Sequence, residues 1–78
     1  MDEKIFLEKF AEQFDERDSS TLSLGTKFRE LSDWSSLIAL SVMAMCTEEY
    51  NVILSADEME KANTIFDIYD IVKSRNNG

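Results

Sequence analysis

The chain has 78 residues, with 16 acidic and 8 basic side chains, a formal net charge of −8, no histidine, no proline and one cysteine. That length points to a single small domain with a modest core. The composition excludes a disulfide framework, a zinc site built on cysteine and histidine, and a histidine base or triad. Two glycines, Gly25 and Gly78, cannot form a glycine-rich phosphate loop, and no EF-hand spacing occurs. The acidic balance opposes nucleic acid and anionic membrane surfaces. No apolar run reaches the roughly 20 residues of a membrane span. The opening MDEKIFLEKF is charged throughout, unlike a secretion signal. The expectation is a cytoplasmic monomer that is not an enzyme and binds no metal.

The first periodic segment covers about Asp2 to Phe14. Ile5, Phe6, Phe10 and Phe14 recur at helical spacing, which predicts an amphipathic helix with an aromatic core stripe. Asp2 and Glu3 suit its start. From Asp15 to Ser35 the chain reads as a long loop, anchored by Leu22, Leu24, Phe28 and Leu31, with a short helical turn near Lys27 to Leu31. Loops this long usually carry function or are disordered. Trp34, just before the next helix, either packs against the loop or faces a partner; packing is the preferred reading.

The second helix spans Ser36 to about Tyr50 and is apolar almost all round, which suits a central position. Asn51 ends it. Asn51 to Leu54 reads as a loop that buries Ile53 or Leu54. Ser55-Ala56-Asp57-Glu58 has the S-x-x-E capping pattern, so a short helix follows, ending near Ala62. Asn63 or Thr64 caps a last helix with inner stripe Ile65, Ile68, Tyr69 and Val72, and Lys73 and Arg75 complement its C-terminus. The final SRNNG is expected to fray. The fold class is all-α: a small four-helix bundle, three main helices and one short, with a long loop after the first.

Charge is unevenly placed. No Lys or Arg lies between Arg29 and Lys61, while Glu30, Asp33, Glu48, Glu49, Asp57, Glu58 and Glu60 do. Such a run is ordinarily a solvated face; the sharper reading is a docking surface for basic partners. Ser32, Asp33, Ser35 and Ser36 crowd one helix start, and capping explains one or two of them.

This arrangement resembles the acyl carrier protein family. Phe28 is followed after a short turn by Ser36-Leu37, where the family has Asp-Ser-Leu. MAMCTEEYNVIL (Met43 to Leu54) is similar to the family's helix end, and SADEMEKANTIFDIYDIV (Ser55 to Val72) to its passage into the last helix. The resemblance covers most of the chain and is weakest in the first helix. It implies phosphopantetheine on Ser36, donated by coenzyme A through a phosphopantetheinyl transferase. It implies acyl or related groups held as thioesters for acyl-transferring, ketosynthase-type or adenylating enzymes of fatty-acid, polyketide or other biosynthesis. Asp33, Leu37, Ile38, Glu48, Glu49, Asp57 and Glu58 are the implied partner-facing residues. Phe28, Leu40, Ala44, Met59, Ala62 and Ile68 are the implied acyl-chain lining. Ser35 stands where the family usually has Asp, and Asp33 is a candidate substitute. Ser36 is preferred to Ser35 because Leu37 follows it. The helix after Ser36 holds Ile38, Ser41 and Thr47 where the family presents carboxylates, so apolar docking contacts gain weight. The alternative is an unmodified helical interaction module of the same fold.

Overall fold

A computed structural model describes residues 2–76. It holds four α-helices: α1 (Glu3–Ala11), α2 (Ser36–Tyr50), α3 (Ala56–Lys61) and α4 (Ile65–Arg75). Two 3-10 turns, Ser19–Thr21 and Phe28–Glu30, lie between α1 and α2. No strand occurs among the described residues. The expected fraying of the last residues falls partly on Asn77 and Gly78, which lie outside the described residues.

Helix α1 is shorter than the hydrophobic period suggests. Asp2 caps it, its carboxylate accepting from the Ile5 N–H at 3.1 Å. Regular helix stops at Ala11, yet two tight turns (Gln13 N–H to the Phe10 carbonyl, Phe14 N–H to the Ala11 carbonyl) carry Phe14 back into the core. Phe6, Phe10 and Phe14 are buried and Ile5 is exposed at the edge of the stripe. Burial therefore extends past the end of the helix.

The long loop is packed rather than free. Leu22 and Phe28 are buried, and Leu24 and Leu31 pack partly against the core. Its backbone also completes α4: the Thr26 carbonyl accepts from Ile65 N–H at 3.0 Å and the Leu24 carbonyl from Phe66 N–H at 2.8 Å. These amides have no partner inside their own helix. A Cα radius of gyration of 11.2 Å is close to the roughly 11.5 Å of a compact chain this long, which leaves no room for a dangling 20-residue excursion.

Helix α2 has the expected bounds. Asn51 stops it in the left-handed conformation (φ 56°), which Asn tolerates better than most residues. The next segment is extended, so side chains alternate. Val52 and Leu54 are buried while Ile53 is 78% exposed. Leu54 is thus the buried member of the expected pair. Helix α3 has the complete capping box. Ser55 Oγ accepts from Glu58 N–H at 3.1 Å, and Glu58 Oε1 accepts from Ser55 N–H at 2.9 Å. Thr64, rather than Asn63, caps α4, with Asp67 accepting from both Thr64 and Asn63 N–H at 3.0 and 2.8 Å. Ile65, Ile68, Tyr69 and Val72 are all buried, as their spacing requires.

Candidate functional site

The two serines opening α2 have different tasks. Ser35 is the N-cap in extended backbone (φ −154°, ψ 170°), and its hydroxyl accepts from the Ile38 N–H at 3.2 Å. Its carbonyl accepts the first helical bond, from Ala39 N–H at 3.0 Å. Ser36 is the first helical residue. Its side chain is exposed and enters no hydrogen bond among the described residues. Capping therefore accounts for Ser35 and leaves the Ser36 hydroxyl free at the positive end of a 15-residue helix.

Trp34 supports this corner from below. It lies 4.7 Å from Phe28, 6.1 Å from Phe14, and stacks on Phe10 at 6.3 Å with 12° between ring planes. The packing reading of Trp34 is the observed one. Phe10, buried completely, thus connects α1 to the residues just before Ser35 and Ser36.

Ser36 sits on the rim of a cavity of about 370 Å³ between α2 and α3. Helix α2 contributes Ser36, Ala39, Leu40 and Met43, and α3 contributes Ala56, Met59 and Glu60. Arg29 and Trp34 close it on the loop side. The Arg29 guanidinium lies 5.0 Å over the Phe28 ring. It donates to the Glu60 carbonyl at 2.8 Å and to the carbonyls of Met59 and Ala62. It therefore caps the last turn of α3, where carbonyls lack helical partners.

Of the expected lining residues, Leu40 and Met59 border this cavity. Phe28, Ala62 and Ile68 do not: they are packed in the core. Ala44 lies elsewhere on α2, in a polar groove shared with Lys9, Glu12 and Gln13. A larger groove of about 790 Å³ between α1 and the first 3-10 turn is lined by Glu8, Glu12, Asp15, Glu16 and Asp18, and shares no residue with the Ser36 cavity.

Four ion pairs occur among the described residues, and each takes one of the carboxylates expected to face partners. Asp33 is held by Arg17 through two bonds at 3.0 and 2.5 Å. Glu49 pairs with Lys9 at 2.8 Å, Asp57 with Lys61 at 3.2 Å, and Glu58 with Arg75. Glu48 is in none of them. Leu37 is 72% exposed and Leu40 61%, while Ile38 is half-buried against the core. The surface beside Ser36 is thus more apolar and less charged than the run of acidic residues suggests.

Arg75 and then the Ser55 N–H hold the Glu58 carboxyl down to about 2. Arg17 likewise lowers Asp33, and the Thr64 and Asn63 amides lower Asp67. A folded-state value below the unfolded one stabilises the fold above the unfolded value, and this is lost as pH falls through the folded one. For Glu58 the window runs from about pH 4.5 down to about pH 2. Urea midpoints should decline across that window, and Glu58→Gln should flatten part of the decline. An unchanged slope in the variant would remove Glu58 from the account of acid sensitivity. Cys46 is fully buried, and burial pushes its thiol up to about 12. It is an inert core group rather than a nucleophile.

Sequence reasoning missed Arg17, Arg29 and Arg75 as partners, and Met43, Ala56 and Glu60 at the cavity. The Asp57–Lys61 pair alone had a local signal, its i,i+4 spacing. No helix among the described residues is long and apolar enough to cross a membrane. No family model, curated protein or solved structure matches the chain at a significant level.

Proposed function

We propose that the chain is a carrier protein, bearing phosphopantetheine on Ser36 and presenting acyl or related groups to partner enzymes. The observation that supports it best is an exposed, unbonded Ser36 hydroxyl at a helix N-terminus, on the rim of an apolar cavity. In the attachment step the Ser36 oxygen attacks the β-phosphorus of coenzyme A. The phosphoanhydride bond breaks, adenosine 3′,5′-bisphosphate leaves, and a base of the phosphopantetheinyl transferase takes the hydroxyl proton. The new phosphodiester is anionic, and the opening amides and dipole of α2 favour negative charge there. When bound, the group supplies a terminal thiol that holds cargo as a thioester.

The chain's own residues position and present. Ser35 anchors the helix start, Trp34 holds that corner on the core, and Leu37 and Leu40 offer apolar contact to acyl-transferring, ketosynthase-type or adenylating enzymes. With Asp33, Glu49, Asp57 and Glu58 held in internal pairs, docking relies on these apolar contacts, and exposed-charge screening by salt affects it weakly.

A second reading is an unmodified helical interaction module. It is favoured by Ser35 in the position where the resembled family has Asp, together with Asp33 being clamped by Arg17 rather than free. Intact mass after incubation with coenzyme A and a broad-specificity transferase separates the two, with fragmentation to locate the adduct. The expected result is one phosphopantetheine increment on Ser36, absent from Ser36→Ala and retained by Ser35→Ala. The latter should lose about 1 kcal/mol of stability with its cap. No increment on folded protein would favour the second reading, and an adduct on Ser35 would overturn the Ser36 assignment.

A further inference from the structure

Asp33 is the charged residue nearest Ser36 along the chain, and the next one after it is Glu48. The first turn of α2 carries no charge of its own. What the Ser36 corner offers a partner electrically therefore depends on whether Asp33 is free, and it is not. Arg17 Nε and Nη2 donate to its two carboxylate oxygens at 3.0 and 2.5 Å. The guanidinium is also seated on its own side of the loop. Its Nη1 donates to Thr21 Oγ1 at 3.2 Å, and that hydroxyl donates to the Asp18 carbonyl at 2.7 Å. The cation lies 5.4 Å over the Phe14 ring, which packs on Trp34 at 6.1 Å. A planar fork held from several sides gives up little freedom on meeting a carboxylate. The pair is a fixed feature of this corner rather than a passing surface contact.

A transferase that brings coenzyme A to Ser36 has to hold a 3′-phosphate and a pyrophosphate. Binding such anions takes arginine, lysine or a divalent cation. Ser36 therefore approaches a positive site. A free carboxylate three residues away is drawn to such a site, and an unpaired cation there is repelled. With the pair closed the two charges cancel. Arg29 and Glu60, which border the same cavity as Ser36, are likewise of opposite sign. We infer that Arg17 is a positioning residue for the attachment at Ser36: by holding Asp33 it keeps the corner near neutral, and so selects a transferase that engages the apolar first turn of α2 rather than an acidic handle. This inference rests on the carrier reading of Ser36.

The test uses the full chain, coenzyme A and a broad-specificity phosphopantetheinyl transferase. It compares Arg17→Gln, Asp33→Asn and the double variant with the unaltered protein. Both single variants break the same pair. A purely structural clasp requires them to act in the same direction, whereas the charge account requires opposite directions. The readouts are KM for the carrier and kcat for adduct formation, by intact mass, at about 10 mM and about 150 mM salt. Arg17→Lys keeps the charge without the fork. Circular dichroism checks that each variant is folded.

Arg17→Gln should lower KM by about three- to sixfold at the lower salt, the effect of one unit charge about 4 to 6 Å from an opposite one in water. Most of that gain should vanish at the higher salt. Asp33→Asn leaves Arg17 unpaired and should raise KM by a similar factor, with the double variant between the two. The change should fall on KM and leave kcat, because Ser36 and its helix start are untouched. Arg17→Lys should stay nearer the unaltered protein than Arg17→Gln does. If Arg17→Gln does not fold, Asp33→Asn carries the test, since Arg17 keeps its contacts to Thr21 and Phe14. Its KM must then rise at low salt and recover at high salt. A KM that shifts the same way in both single variants, or that ignores salt, overturns the inference and makes the pair a structural clasp. Adducts on Ser36 still form in that case, so the carrier reading survives it. No adduct on Ser36 in any of the folded proteins overturns the carrier reading and this inference with it.

Discussion

Phe10→Ala should cost about 3–5 kcal/mol of folding stability, the usual loss for a fully buried phenylalanine. The ring touches Phe6, Phe14, Phe28 and Trp34, with centroids 6.1 to 6.3 Å away. A domain of this length has roughly 4–12 kcal/mol in total. The substitution therefore removes a large fraction and leaves a population of unfolded chain at 25 °C. It also takes away the face on which Trp34 stacks, so the corner carrying Ser35 and Ser36 should loosen first. Urea unfolding measures the loss. Phe66→Ala is the control, because Phe66 is half exposed and surface substitutions usually stay within about 0.5 kcal/mol. Equal costs for the two would contradict the placement of Phe10 at the centre of the core.

Arg29→Gln is expected to have the next largest effect, about 2 kcal/mol, the scale of hydrogen bonds made by a charged donor. The guanidinium serves two carbonyls of α3, Met59 and Glu60, and that of Ala62 just after it, from 30 to 33 residues away. A glutamine amide cannot reach all of them. Helix α3 has 6 residues, too few to persist alone, so its backbone depends on such outside contacts. Hydrogen exchange should quicken by about tenfold or more in α3, while the amides of α4 change little. Arg29→Lys should recover only part, because one ammonium lacks the planar fork. Exchange in α3 that matches the unaltered protein would show that the capping box and the Glu58–Arg75 pair hold this helix without Arg29.

Local signals determined much of what the sequence shows by itself. The bounds of α2, the Ser55–Glu58 capping box, the stop at Asn51 and the inner stripe of α4 all depend on residues within about four positions of one another. Such signals are fully present in the chain. The identity of the capping serine was not: Ser35 and Ser36 both suit an N-cap, and only the backbone at Ser35 shows which hydroxyl turns to the Ile38 amide.

The remaining features join distant residues, and the tertiary structure alone decided them. Arg17 reaches Asp33 across 16 residues, Arg75 reaches Glu58 across 17, and Lys9 reaches Glu49 across 40. These pairs give three carboxylates of the acidic stretch a cation from elsewhere in the chain. The cavity beside Ser36 likewise needs two helices and the loop at once, so Met43, Ala56 and Arg29 had no reason to be singled out in a linear reading. Helical period and capping are short-range physics written along the chain; which charges meet, and what lies beside a free hydroxyl, follows from how the helices are brought together.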